Sequence, residues 1–436
     1  MLISSPLQQL RVSALLACVG FIVGCGGDIF QKKPEAAPSV GSVAAVRLNF
    51  RYEPDVPAPS LDASRVVQEI NPAVQSDFDA NRTFELLERT IPSPDKKQVV
   101  AVYRHISDIS AEYRLDMYSP DGRLQRKMTS DAMAVHFPDT IVWSPNSASL
   151  AFVAMTRAAL SFAASSPGTS VTVTPTPFQE TVIDAVPEGE ATPTPTPAPV
   201  PTPAAPTGIL TFRSEQIYLA NADGAGVKPV TSNEGIIYFY YVWSPDSSML
   251  VALAATASEW RYREVMSESK GEMMVPVGRL RTIEKNGRER RLDDNQTAVR
   301  PVWSPDSTKV AAAFENQVRI YDATGTNPTQ AAIPLRNQLL ISSQIYDREQ
   351  QRAGQSIDPN SNIPAPVPDQ PLSTLPDVSS LVSFNPIVEI AWTGEDLIYL
   401  QTAYLRRMKN EIDNVRSFSR WHRLALTVQP AATPKQ

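Results

Sequence analysis

Cysteine is nearly absent. Cys18 and Cys25 are the only two in 436 residues, and both lie near the start. If Cys18 is lost with a leader, neither a disulfide nor thiol chemistry remains to the folded part. An exported domain without disulfides relies on a large core, which a chain with 42% apolar residues can build. Histidine is equally scarce: His105, His136 and His422 are the only three, and they stand in unlike contexts. Catalytic metal sites draw on several imidazoles or carboxylates with supporting partners, so neither a metal nor a cofactor is predicted. No Gly-x-Ser-x-Gly, His-Glu-x-x-His, P-loop or Gly-x-Gly-x-x-Gly pattern occurs, which excludes a fused hydrolase and nucleotide chemistry by the usual motifs. Excess positive charge is missing too. The net charge of −6, with both signs interspersed, argues against nucleic acid as the main partner.

What is present is a phrase in three copies: Trp143-Ser144-Pro145-Asn146, Trp243-Ser244-Pro245-Asp246 and Trp303-Ser304-Pro305-Asp306. Each follows a β-forming run and precedes a second apolar run, such as Leu250-Val251-Ala252-Leu253. Pro presets φ and the polar side chains bond nearby backbone, so the phrase reads as a tight turn between strands. Weaker copies lie at Pro92-Ser93-Pro94-Asp95 and Trp392-Thr393-Gly394-Glu395. A second signature follows each copy, a strand ending in a Gly turn, as at Ile217–Ala220 before Asp223-Gly224. Two strand pairs per unit make a four-stranded sheet, and such sheets recurring at about 40–50 residues describe propeller blades. The fold class predicted is all-β: a β-propeller of five or six four-stranded blades, with the sixth hidden in 256–278 or completed by the termini.

The Ser-Pro-Asp turn after an aromatic residue, and Asn221-Ala222-Asp223-Gly224 followed by Pro229-Val230-Thr231, resemble the WD40-like repeats of TolB-type β-propellers. The resemblance covers roughly residues 92–426 and is specific for the repeat type. The Gly usual after Ser-Pro-Asp is replaced by Lys96, Ser147, Ser247 and Ser307, which implies a type I turn tolerant of other residues. TolB-type propellers act as interaction modules in the cell envelope, and the resemblance implies a similar role here. A different N-terminus and two long insertions leave assignment to the Tol–Pal system unwarranted.

Residues 1–24 read as a lipoprotein signal peptide. Arg11 precedes a short apolar stretch, and Ile22-Val23-Gly24-Cys25 resembles a bacterial lipobox, with Cys25 the acylated residue. The expected partner is then the lipid bilayer, and the expected location is the extracytoplasmic face of a cell membrane, or the outer membrane if the cell has two. Residues 25–45 read as a flexible tether. Residues 46–91 read as an alternating strand, Val46–Arg51, that closes the last blade, followed by short helix or loop over 53–90, with two helical turns expected at Asp62–Ile70 before Pro72. The propeller spans 92–428, with disordered Pro-rich insertions at 169–207 and 344–379, and 429–436 is a tail.

The repeat residues Trp143, Ser144, Pro145, Trp243, Pro245, Asp246, Trp303, Pro305, Asp306, Asp223 and Gly224 are assigned to turns and blade packing rather than ligand binding. The aromatic run Tyr238–Trp243 is assigned to packing. The hairpin with Arg288, Arg290 and Arg291 opposite Glu284, Glu289, Asp293 and Asp294 is read as a solvated face. The basic cluster Arg406, Arg407, Lys409, Arg416, Arg420 and Arg423 with Trp421 is read as a solvated last blade. The function expected from these residues is a monomeric, non-catalytic docking module for an envelope protein or surface glycan, and not an enzyme. The alternatives are a propeller-type polysaccharide lyase or hydrolase, which calls for His and acidic side chains along the channel, and a solute- or signal-sensing lipoprotein.

Overall fold

The computed structural model describes residues 38–60, 70–108, 112–156, 215–352, 375–409 and 415–429. Cys25, the signal segment, the Thr-Pro tract and the tail lie outside them. Residues 1–38 form one unit and 39–436 another, and the second is described here.

That unit begins with strand β1 (Leu48–Val56) and helix α1 (Pro72–Asn81). Blade 1 holds β2 (Glu85–Pro92), β3 (Val99–His105), β4 (Arg114–Tyr118) and β5 (Leu124–Lys127). Blade 2 holds β6 (Met133–His136), β7 (Val142–Trp143), β8 (Ser149–Thr156), β9 (Gln216–Asn221) and β10 (Lys228–Pro229). Blade 3 holds β11 (Ile236–Trp243), β12 (Met249–Thr256), β13 (Gly278–Glu284) and β14 (Glu289–Thr297), with helix α2 (Ala257–Lys270) inserted after β12. Blade 4 holds β15 (Val302–Trp303), β16 (Lys309–Phe314), β17 (Gln317–Asp322) and β18 (Gln330–Pro334), followed by helix α3 (Arg336–Arg352). Blade 5 holds β19 (Ser383–Phe384), β20 (Ile387–Trp392), β21 (Leu397–Arg406) and β22 (Val415–Val428), and β1 completes it by pairing antiparallel with β22. The five antiparallel sheets make a β-propeller. In blades 2 and 5 the first strand is split in two, and both pieces pair with the second strand.

The second strands explain why the blades stack. Val99–Val102, Leu150–Ala154 and Val310–Ala313 are buried on both faces, so they read as unbroken apolar runs rather than alternating ones. Four apolar clusters join blade 1 to 2, 2 to 3, 3 to 4 and 4 to 5. The other face of blade 1 is covered by α1, whose Val74 and Phe78 pack on Val99, Ala101, Tyr103 and Tyr118. Each such side chain contributes about 1.5–3 kcal/mol by leaving water. Among the described residues, no apolar cluster joins blade 5 to blade 1.

The repeat turns make a second set of interblade bonds. In the three full copies the Trp donates its indole N–H to the preceding blade: Trp143 to Ile91 O at 3.2 Å, Trp243 to Val142 O at 3.3 Å and Trp303 to Val242 O at 3.2 Å. Asp246 and Asp306 each accept from the Ser two residues earlier and the amide two residues later, which is the task Asn146 performs in blade 2. Pro145, Pro245 and Pro305 sit at the second turn position between them. Asp223 and Gly224 shape the β9–β10 turn, where Gly224 has φ +77°. The turn is less tolerant than the sequence implied. Lys96, Ser147, Ser247 and Ser307 all have φ between 59° and 63°, the left-handed region that normally favours Gly. Serine stands there because its hydroxyl accepts the turn amide of the preceding blade: Asp95 N–H to Ser147 at 3.0 Å, Asn146 N–H to Ser247 at 3.1 Å, Asp246 N–H to Ser307 at 3.0 Å.

Several boundaries differ from those read in the sequence. The tether gives way to ordered chain by Ser39: Val40, Val43 and Ala45 are buried in the blade 4–5 core. Lys309 donates to Val43 O at 2.6 Å and to Asp322 at 2.9 Å, and Asp322 also accepts from Ala45 N–H at 3.0 Å. Buried apolar side chains and a satisfied ion pair outweigh the entropy of a free linker there. The propeller starts at Glu85, because β2 is the first strand of blade 1. Residues 256–278 hold α2 and a loop rather than a sixth blade; a capping box between Thr256 and Glu259 starts the helix. The insertion placed at 344–379 begins as helix, because α3 runs to Arg352. The helical turns expected in 62–70 fall almost wholly on undescribed residues.

Candidate active site

All long connections leave one end of the blades. The β8–β9 connection, α2 and α3 emerge there, while the Trp turns occupy the opposite end. At the insertion end the first strands are irregular. Bulges interrupt β2 at Leu87–Arg89, β11 at Tyr238–Tyr240 and β20 at Ile387–Glu389. Bulges re-aim side chains and recur beside functional sites.

The strongest departure is in blade 2. There β6 stops at His136, Phe137 takes φ +51°, and a 3-10 turn over Pro138–Thr140 leads into β7. A left-handed aromatic residue is strained by about 1–3 kcal/mol and persists only where its surroundings hold it. Here they do. The Phe137 ring meets Trp260 of α2 edge-on at 5.6 Å, Trp260 also meets Phe239 at 5.5 Å, and Arg89 of β2 pairs with Asp139 at 2.7 Å.

That break positions His136 against Glu215, which opens β9 from the far side of the 157–214 connection. His136 Nδ1 lies 3.6 Å from Glu215 Oε1, and the two side chains are 10% and 1% exposed. A carboxylate beside an imidazole, withdrawn from water, orients the ring and stabilises the imidazolium formed when it takes a proton. At 3.6 Å the contact is a charge–imidazole approach rather than a hydrogen bond, and the other ring nitrogen, Nε2, is buried.

The other histidines lie elsewhere. His105 faces Ser107 at 2.6 Å in blade 1. His422 is fully buried in blade 5, between Asp55 N–H on Nδ1 and Thr402 on Nε2, with Tyr52 stacked at 5.5 Å. Desolvation pushes its pKa down to about 4, so it is neutral at physiological pH. No group of three or more His, Cys, Asp or Glu able to hold a metal occurs among the described residues, and no described helix is long and apolar enough to cross a membrane.

The Tyr238–Trp243 run splits between two cores. Tyr238, Tyr241 and Trp243 face blade 2, and Phe239, Tyr240 and Val242 face blade 4. The Arg288–Asp294 hairpin is not merely solvated. Arg290 donates to Ala323 O at 2.9 Å, Asp293 accepts from Arg319 at 2.5 Å, and Glu289 accepts from Tyr238 at 2.8 Å, which ties blade 3 to blade 4 and buttresses its own first strand. Three members of the C-terminal basic cluster are likewise taken up within the fold. Arg420 lies 4.9 Å over Tyr404 and pairs with Asp55, Arg423 pairs with Glu53, and Arg407 donates to Val378 O at 3.0 Å. The Arg416 side chain lies outside the described residues.

Of the pair at the centre of the site, the sequence offered only a lone His136. Glu215 carried no signal, because a long insertion separates it from its partner.

No protein-family model matches the chain, and no curated protein matches it. Among solved structures it is similar to a prolyl endopeptidase at 9% identity and TM-score 0.36, covering 84% of this chain and 39% of that one. An oligogalacturonate lyase in complex with manganese matches at 8% and 0.34, covering 86% and 75%. Dipeptidyl peptidase 4 of Porphyromonas gingivalis matches at 8% and 0.31, covering 76% and 46%. The chain thus spans less than half the length of the two peptidases. What stands of the sequence resemblance is the coarser statement, a β-propeller of WD40-like blades. The expectation of a non-catalytic docking module, and with it that the chain is no enzyme, is corrected here: the solved propellers it is similar to are named as peptidases and a lyase.

Proposed function

We propose that the chain is a propeller enzyme of the acid–base type, a polysaccharide lyase held at the extracytoplasmic face of a membrane through acylated Cys25. The observation that carries the reading is the His136–Glu215 pair at the break in a blade's first strand. First strands border the channel of a propeller; because His136 Nε2 is buried, the reading requires the strand break at Phe137 to open and expose that nitrogen to a ligand entering from the insertion end. Glycoside hydrolysis uses two carboxyl groups flanking the bond. One imidazole backed by one carboxylate suits proton abstraction instead.

His136 removes the proton at C5 of a uronate unit, α to its carboxylate. The electron pair forms the C4–C5 double bond as the C4–O bond breaks. The departing oxygen takes a proton from water and becomes a new reducing end. Glu215 holds the imidazolium during the step. Arg89, tied to Asp139 beside the strained turn, adds positive charge where the uronate carboxylate develops enolate character.

The test is a screen of acidic and neutral polysaccharides with the purified propeller. Products that gain ultraviolet absorbance together with reducing ends support the reading. Reducing ends without the absorbance would mean hydrolysis, and a screen with no turnover of any acidic polymer would remove the lyase.

A further inference from the structure

A second feature at the same end points to a ligand. A cleft of about 370 Å³ opens on blade 3, lined by Thr256, Glu259, Arg279, Arg281, Arg291 and Asp294. Ile236 also lines it and packs against the cluster that includes Phe137, the residue after His136. Three guanidinium groups converge here, and their pairing is unequal. Arg279 is closed off: it meets Glu259 in a two-pronged contact, 2.8 Å on each prong, and spends its Nε–H on Asp294 O at 3.0 Å. Arg291 and Asp294 form an exposed rim pair, with side chains 51% and 81% exposed.

Arg281 is different. Its Nη1 meets Glu289, its side chain is 15% exposed, and its Nε–H is buried without a hydrogen-bond partner. A buried donor left unmade is destabilising, and Nε belongs to the edge with which arginine grips a carboxylate side-on. Arg319 also carries an unpaired buried Nε, but it does not line this cleft. Over Arg281 stands a cleft.

We infer that this cleft is a carboxylate-binding subsite, in which a ligand carboxylate displaces Asp294 from Arg291 and completes the free edge of Arg281. On the function proposed above, on which this assignment of the ligand rests, the carboxylate belongs to a uronate unit of the polymer. A uronate gripped on blade 3 places neighbouring units toward blade 2 and His136. The subsite then selects acidic over neutral polymers.

The probes are free glucuronate and galacturonate, with glucose and sulfate for comparison, titrated into the full chain by calorimetry or ligand-observed NMR. The uronates bind and glucose does not. Arg291→Gln and Arg281→Gln each weaken uronate binding by about tenfold or more, the scale expected for loss of a charge-assisted pair. Arg291 is half exposed, so its variant reports even if the Arg281 variant fails to fold. Absence of uronate binding overturns the inference. So does binding unchanged in the Arg291 variant, and so does sulfate competing as well as uronate, which would mark a site for any oxyanion. Binding is read without turnover, so the two proposals fail separately. Uronate binding lost in Arg291→Gln, with no polymer cleaved, keeps the subsite and removes the lyase; cleavage without uronate binding does the reverse.

Discussion

Serine in the left-handed turn position should cost strain and return an interblade hydrogen bond, and the two effects can be separated at Ser247. Its φ is +63°, it is 2% exposed, and its hydroxyl accepts Asn146 N–H from blade 2 at 3.1 Å. Ser247→Ala keeps the strain and strands the amide, a loss of about 1–3 kcal/mol. Ser247→Gly strands the same amide but relieves about 1–2 kcal/mol of left-handed strain, against roughly 0.5–1 kcal/mol of added freedom in the unfolded chain. The glycine variant should therefore be the more stable of the two by about 0.5–1 kcal/mol. Lys96 has φ +60° but belongs to blade 1, where the Ser147, Ser247 and Ser307 bonds have no counterpart. Lys96→Gly should therefore be neutral or stabilising. Urea midpoints are the sharper assay, because at this chain length 1 kcal/mol moves Tm by only about 1–2 °C. A glycine variant at 247 weaker than alanine, or a Lys96→Gly loss as large as the loss at 247, would refute the reasoning.

Three further outcomes follow from the same structure. His422 has its pKa depressed from 6.5 to about 4 by burial, so the unfolded chain binds more protons between those values. Its contribution, on the order of 3 kcal/mol, is complete above pH 6.5 and is lost as pH falls toward 4; chemical denaturation across that window should show the slope, and His422→Asn should flatten it. Asp322 is desolvated by burial, yet its bonds from Thr329 and Lys309 hold its pKa below the ordinary 3.8. Its stabilisation is complete above that value and lost as pH falls through the folded-state value, so acid should release the 39–47 segment first, read as early amide exchange there. At Gly41 an added Cβ would lie 1.6 Å from Asp306 Oδ2; Gly41→Ala should loosen the 39–47 segment from blade 4 and raise exchange in β1 and β22 while leaving blades 1 to 3 protected.

The blades were legible because turn chemistry repeats. Trp-Ser-Pro-Asp and the Gly turns punctuate strands whose burial on both faces leaves an apolar run, and Leu48–Arg51 alternates as a half-buried strand should, whereas Val46, expected to open that strand, lies exposed in a 3-10 turn over Ala45–Arg47. α2 and α3 were not legible as helices, since both sit in polar stretches that a propeller rule assigns to loops. The left-handed serines were missed because Ser suits an ordinary type I turn, and only the facing amide of the preceding blade shows why it tolerates φ > 0. The His136–Glu215 pair was half visible. His136 is a single imidazole on a short strand, and Glu215 is joined to it only through sheet pairing across an insertion, a contact no local pattern encodes.

The most direct test of the account is turnover of an acidic polysaccharide by the full chain beside His136→Ala and Glu215→Gln, each with its circular dichroism and melting curve matched to the parent. The account predicts formation of unsaturated product by the parent, a loss of about 10²–10⁴-fold in kcat for His136→Ala, and a smaller loss for Glu215→Gln. Folded variants as active as the parent would contradict it.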